Sequence, residues 1–213
     1  MIKIGNIRKM SNISNIIFVL GGPGSGKSTL CKKLVENGDY YYLSAGDVLR
    51  RERELNIGSK HSKMINDCIS QGKIVPGIVT TKLLINECLK CSNNSNNSDN
   101  DNKTILIDGF PRSEENYDTW YSIVPNNLKT KGVLLFECDE DVLINRILNR
   151  AKKSLVVRVD DNIETVKNRL KVYNEQTIPV TKKFEDQGKL FKVNCNNSID
   201  NNYNNIEEIL KEL

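Results

Sequence analysis

Residues 21–29 read Gly-Gly-Pro-Gly-Ser-Gly-Lys-Ser-Thr, which sets four glycines, one cation and three hydroxyls side by side. Glycines let a backbone turn so that successive N–H groups face one anion. The spacing is G-x-x-x-x-G-K-[ST], the phosphate loop. It also has the context that gives the pattern meaning, with the apolar run Ile16-Ile17-Phe18-Val19-Leu20 before it and helical spacing after it. Such a loop holds the phosphates of a nucleoside triphosphate. Gly22, Pro23, Gly24, Ser25 and Gly26 supply backbone, and the following helix adds the positive end of its dipole. Lys27 offers a mobile charge to the outer phosphates, and Ser28 a hydroxyl to the Mg²⁺ that accompanies ATP.

A second constellation follows another apolar run. Ile105-Leu106-Ile107 ends in Asp108 and continues Gly109-Phe110-Pro111-Arg112. An acid at a strand end is the partner that a phosphate loop needs for hydrated Mg²⁺. Gly109 and Pro111 favour a sharp turn that can bring backbone and Arg112 to a second ligand. Arg146 and Arg150 stand four apart in a helical segment and so share a face. The chain has a single histidine, His61, and it lies outside these motifs.

The elements that must hold these groups can be read from periodicity. Buried strands are expected at 16–20, 40–43, 104–107, 132–137 and 190–193. One helix should follow the loop, with Leu30, Leu34 and Val35 on one face and Gly38 at its end. Further helices are expected at 62–70, 78–90, 114–121, 140–150, 162–175 and 204–212. Strands alternating with helices imply an α/β fold whose parallel sheet is covered on both faces, with ligands at the carboxyl ends of the strands. The 213 residues fit one domain from 16 to 213, preceded by a flexible tail at 1–15. Ser92 to Asn102 has no apolar residue and reads as an Asn-rich surface loop; Asn194 to Asn205 is also rich in asparagine.

Composition excludes some classes. Lys and Arg number 31 against 27 Asp and Glu, giving +4, which is not the balance of a dedicated nucleic-acid binder. No apolar run reaches the length of a membrane span. Cysteines stand at 31, 68, 88, 91, 138 and 195, mostly in apolar stretches, as small core residues in a reducing compartment do. Cys88-Leu-Lys-Cys91 has no second pair to complete a metal site.

Several further motifs then align. They are Leu43-Ser44-Ala45-Gly46-Asp47-Val48-Leu49-Arg50, Gly72-Lys73-Ile74-Val75-Pro76, Asp108 to Arg112 with Asn116, and Arg158-Val-Asp-Asp-Asn162 with Arg169. With these the chain resembles the nucleoside monophosphate kinases, and among them the UMP/CMP kinases, over residues 15–195. The resemblance implies a phosphate-loop three-layer sandwich with a five-stranded parallel sheet. It also implies a helical insert over the acceptor at about 44–76, and a short lid at about 150–160. It assigns Arg50 and Arg112 to the acceptor phosphate, with Ser44, Ala45, Ile74, Val75, Pro76, Gly109, Phe110, Pro111 and Asn116 around the acceptor. Arg146, Arg150, Thr29 and Asn197 fall on the ATP side. Arg158 and Arg169 reach across the transferred group, so that Lys27, Arg112, Arg150, Arg158 and Arg169 form the catalytic set. Ser28 and Asp108 serve Mg²⁺, in part through water. ATP and a nucleoside monophosphate are the implied partners, with no nucleic acid and no membrane, for a monomer in the cytoplasm or the nucleus.

Two positions point to a pyrimidine acceptor. Adenylate kinases usually carry Gln where this chain has Asn116, and Thr where it has Ala45. The rival reading is an adenylate kinase. From another class, a non-catalytic nucleotide-binding module would account for the loop, although such a module should have lost Lys27 or several arginines. The resemblance also departs from pattern. Leu155-Val156-Val157 stands where short lids are rich in Gly and Ser, and Ala151 where Gly is common. Gly77-Ile78 replaces an acid-containing pair, and Ser28 stands where relatives often have Gly.

Overall fold

The computed structural model describes residues 14–38, 40–58, 60–93, 104–153, 163–196 and 198–213. The tail at 1–13, most of the Asn-rich stretch and the greater part of the expected lid lie outside them. Five parallel strands form one sheet in the order β2-β3-β1-β4-β5, with β1 at Ser14–Gly21, β2 at Tyr40–Ser44, β3 at Thr104–Asp108, β4 at Leu128–Glu137 and β5 at Leu190–Asn194. This is the α/β sheet expected from the alternation of elements. β1 is central and buried on both faces, which explains why its sequence is a continuous apolar run.

Alternation along β1 divides the core in two. Ile16, Phe18 and Leu20 face one side with Ile105, Ile107, Val133 and Leu135. That side is covered by α4 (Gly77–Asn93), α5 (Glu114–Ile123) and α8 (Ile178–Glu185), and its centre is an aromatic group of Phe18, Phe110, Trp120 and Phe184. Ile17 and Val19 face the other side, under α1 (Lys27–Asn37) and α9 (Ile199–Lys211). A fully buried side chain of this size contributes about 1.5–3 kcal/mol, so the two layers fix the sheet as a rigid floor. A smaller core of Leu49, Ile65 and Val75 joins α2 (Ala45–Leu55) and α3 (Lys60–Ser70).

The structure departs from the sequence reading at several elements. Val35 is 36 % exposed, and α1 buries Leu30, Cys31 and Leu34 instead. Periodicity did not mark α2, because charged residues dominate it, although the resemblance implied a helical insert there; Ser44, whose Oγ accepts from the Asp47 N–H at 3.2 Å, caps it and was the available signal. The segment expected as one helix at 162–175 is α7 (Ile163–Val172), a π-turn at Tyr173–Thr177 and then α8. α4 continues through Ser92 and Asn93, into the stretch read as loop, and α6 (Glu140–Lys153) enters the stretch read as lid. α9 begins at Ile199, five residues before the expected start, because Ser198 caps it and Asn202, Tyr203 and Ile206 are buried. Among the described residues, no helix is long and apolar enough to cross a membrane.

Candidate active site

A cleft of about 480 Å³ opens at the carboxyl ends of β1 and β3, beside the loop that follows β1. Gly24 has φ +85°, and a Cβ there would stand 2.6 Å from the Leu143 carbonyl, so only glycine fits. Gly22 is buried against Leu143, whereas Gly21, Pro23, Ser25, Gly26 and Thr29 line the cleft. Serines cap α2, α5 and α9, accepting from Asp47, Asn116 and Asn201 backbone N–H groups. α1 differs: its N-cap is Gly26 and no side chain caps it. The one helix start at the loop is thus left open to an anion.

Lys27 folds over this start. Its Nζ donates to the carbonyls of Gly21 and Gly22, both at 2.8 Å, and to Ser25 Oγ at 3.1 Å. Burial lowers its pKa to about 8. Asp108 opposes that shift, and Arg112 and Arg169 add to it. The group is therefore a cation held short of counter-charge, which a triphosphate would supply.

Asp108 ends β3 and is buried. Ser28 Oγ donates to its Oδ2 at 2.9 Å, and Tyr42 Oη donates to the same oxygen at 2.9 Å. A hydroxyl and a carboxylate are hard oxygen donors that suit Mg²⁺, which keeps several waters and takes phosphate oxygens. No cluster of three or more His, Cys, Asp or Glu able to hold a metal occurs among the described residues. This two-donor site is the kind such a hydrated ion uses.

Next to the cleft lies a smaller cavity of about 80 Å³, whose walls include Ala45, Arg50, Val75, Arg112, Asn116 and Arg169. Arg50 Nη2 donates to Asp47 Oδ1 at 2.5 Å. Gly109 has φ +77°, and a Cβ on it would meet Arg112 Nη2 at 2.5 Å. That turn lets Arg112 Nε donate to the Gly109 carbonyl at 2.8 Å. Thr177, from the π-turn, donates to the Arg112 carbonyl at 2.9 Å and fixes the turn from below. Arg169 comes from α7 and passes Gly72, where a Cβ would stand 3.1 Å from its Cγ. Ser44 and Ile74 line the larger cleft, and Ile74 lines the smaller cavity as well.

Asn116 is 2 % exposed. Its Oδ1 accepts from the backbone N–H of Arg112 at 3.2 Å. A backbone N–H can only donate, so the amide is oriented with its oxygen towards the turn. Nδ2 is left buried, with no hydrogen-bond partner among the described residues.

On the opposite side, Arg146 spans α6 and the end of β5. Its Nη2 donates to the Cys195 carbonyl at 3.0 Å, and its Nη1 lies 3.6 Å from Cys138 Sγ. Arg146, Ile147 and Ile199 continue the larger cleft away from the loop.

Besides Gly22, three expected site residues line neither cavity. Phe110 is in the aromatic core, 5.7 Å from both Phe18 and Trp120 between ring centroids. Pro111 lies in the turn between the core and Arg112, and the Pro76 carbonyl accepts from Val79 and Thr80 at the start of α4. Arg158, Asn197 and the side chain of Arg150 lie outside the described residues. At the departure from pattern at 77–78, Glu115 Oε1 accepts from the Gly77 N–H at 2.9 Å. Sequence reasoning passed over Lys73, which lines both cavities and stands inside a motif already noted. It also missed Tyr173 and Thr177, for which only the π-turn in the fold is a signal.

A parallel sheet in this order, with a phosphate loop at its switch point and a second arginine-lined cavity beside it, defines a nucleotide kinase of the phosphate-loop class. The adenylate kinase family model matches residues 19–189, and the chain belongs to that family. Within the family it is similar to a protein named uridylate kinase from Saccharomyces cerevisiae, 38 % identical over 198 residues, which cover 93 % of this chain and 91 % of that one. It is also similar to a UMP-CMP kinase from Danio rerio, 38 % identical with 92 % and 97 % covered. A third relative, UMP-CMP kinase 2 from Caenorhabditis elegans, is 39 % identical with 92 % and 95 % covered.

Proposed function

We propose that the chain transfers the terminal phosphoryl group of ATP, as its Mg²⁺ complex, to a pyrimidine nucleoside monophosphate, yielding ADP and UDP or CDP, with dCMP as a further acceptor. The observation that carries the pyrimidine reading is the Nδ2 of Asn116, a buried donor without a partner among the described residues, on the wall of the 80 Å³ cavity. Leaving such a donor unpaired costs about 1–3 kcal/mol. An acceptor atom on the base satisfies it: O4 of uracil or N3 of cytosine. The names of the relatives agree with this reading.

In this reading the loop amides and Lys27 hold the ATP phosphates, and Arg146 steadies the nucleotide on its other flank. Arg50 and Arg112 grip the acceptor phosphate, because a guanidinium binds phosphate oxygens in two places and keeps its charge. Arg169, with Arg150 and Arg158, spreads positive charge over the group in flight. The acceptor oxygen is already ionised, so no general base is needed, and the residues act by alignment and electrostatics. Mg²⁺ held on the Ser28 and Asp108 side neutralises phosphate charge when bound. The insert at 44–76 and the lid at 150–160 are read as the parts that exclude water. All six cysteines are unbridged thiols, which fits a reducing compartment; the chain is read as a cytoplasmic or nuclear monomer. Coupled assays with UMP, CMP, dCMP and AMP test the proposal: the pyrimidines turn over fastest, and faster turnover of AMP would instead make the chain an adenylate kinase.

A further inference from the structure

We infer that Tyr42 is the positioning residue for the Asp108 carboxylate, acting on the divalent ion through that group and not on the nucleotide. The inference rests on the reading of Ser28 and Asp108 as the metal side of the site.

Tyr40-Tyr41-Tyr42 forms most of β2, the edge strand, and β2 runs parallel to β3 with Tyr42 opposite Leu106 and Ser44 opposite Asp108. Alternation sends the three rings to different places. Tyr41 packs into the core on the α4 side, whereas Tyr40 and Tyr42 pack on the α1 side. Tyr40 lies opposite Thr104, at the wrong end of the strand. Only Tyr42 is both on the α1 side and close enough in register to reach past Leu106 to Asp108. Its Oη donates to Asp108 Oδ2 at 2.9 Å.

Ser28 Oγ donates to that same Oδ2 at 2.9 Å, from the first turn of α1. Two hydroxyls from two elements thus converge on one carboxylate oxygen, which fixes its rotamer and directs Oδ1 away from them. The two donors are not equivalent. Ser28 sits on the phosphate loop, and its oxygen is the one that must turn to the ion. Tyr42 stands on the sheet, is not part of the loop, and can keep its bond throughout. Without it, the carboxylate loses the only fixed donor of the pair when Ser28 turns.

The test measures ATP binding calorimetrically, with and without Mg²⁺, together with the Mg²⁺ concentration that half-saturates the effect. The proteins are the wild type, Tyr42→Phe, Tyr41→Phe and Asp108→Asn. Tyr42→Phe removes one oxygen and keeps the ring. Loss of a hydrogen bond to a charged group corresponds to about a tenfold rise in half-saturating Mg²⁺, with metal-free ATP affinity held within about twofold. Asp108→Asn shows a larger rise, and Tyr41→Phe none. If Asp108→Asn responds to Mg²⁺ as the wild type does, the metal reading itself is wrong. If Asp108→Asn loses the response while Tyr42→Phe matches Tyr41→Phe, the metal reading stands and the role of Tyr42 is overturned. Equal weakening of ATP binding by Tyr42→Phe with and without Mg²⁺ would also overturn it, since that marks a merely structural effect.

Discussion

Replacing Asn116 by Asp separates the two pyrimidines. In the structure Asn116 Oδ1 already accepts from the Arg112 N–H, and Nδ2 has no partner among the described residues. Aspartate keeps the first oxygen, so the turn at 109–112 retains its acceptor, and puts a second oxygen where the amide nitrogen was. Uracil then presents O4 to an acceptor, and a hydrogen bond becomes a repulsion between two oxygens. Cytosine loses a donor to N3 but can offer its amino group to the new oxygen. Loss of a buried hydrogen bond with its partner left unpaired costs about 1–3 kcal/mol, so kcat/KM for UMP falls about 5- to 150-fold. The added charge also lies among Arg50, Arg112 and Arg169 on the cavity wall. That affects the acceptor phosphate of both substrates alike, so the decisive quantity is the ratio of kcat/KM for CMP to that for UMP. The ratio rises about tenfold or more, while the KM for ATP stays within about twofold. Steady-state kinetics with both acceptors, alongside thermal melting, measures this. Equal losses for UMP and CMP would refute base reading by Nδ2 and leave Asn116 as a brace for the turn.

Other expectations follow from single contacts. Lys27→Met lowers kcat by about a thousandfold or more, since it removes a charge from the transferred phosphates. It also holds or raises the melting temperature, because burial already disfavours that charge in the ligand-free fold; a melting temperature that drops sharply would contradict this. Arg146→Ala raises the KM for ATP about tenfold with little change in the KM for the acceptor, as steady-state kinetics varying each substrate in turn would show. Trp120→Ala, at 1 % exposure within the ring of Phe18, Phe110 and Phe184, costs about 3–5 kcal/mol in denaturant unfolding. Burial raises the thiol of Cys195 to about 12, and those of Cys31 and Cys88 well above their ordinary value. Such thiols stay protonated in the fold but ionise in the unfolded chain, so stability present below about pH 9 is lost as pH rises beyond it. Lys27 pulls the other way but is one group against three. Urea midpoints under reductant should therefore fall between pH 8 and pH 10, and a midpoint that holds or rises would refute the argument.

The loop at 21–28 and the turn at 108–112 were legible in the sequence for the same reason. Each joins a strand buried on both faces to residues whose backbone must turn sharply, and both signals are local. α2 was hidden because a helix whose outer face is nearly all charged shows few apolar residues to count; only Ala45, Val48 and Leu49 are buried in it. Phe110 and Pro111 line neither cavity although the motif groups them with Arg112, because β3 ends at Asp108 and the chain turns at Gly109, where φ is +77°. Phe110 therefore enters the core, while Arg112 reaches the cavity. What no local signal could disclose is the set of groups that hold the others in place. Thr177 supports the Arg112 carbonyl from a π-turn 65 positions away. Glu115 Oε1, from α5, accepts from the Gly77 N–H at the start of α4. Tyr42 reaches Asp108 only because the topology sets β2 beside β3 with Tyr42 opposite Leu106. The residues that meet ligand can therefore be recognised from spacing, since the ligand's own geometry fixes their types. The residues that orient them answer only to the fold, and the fold alone identifies them.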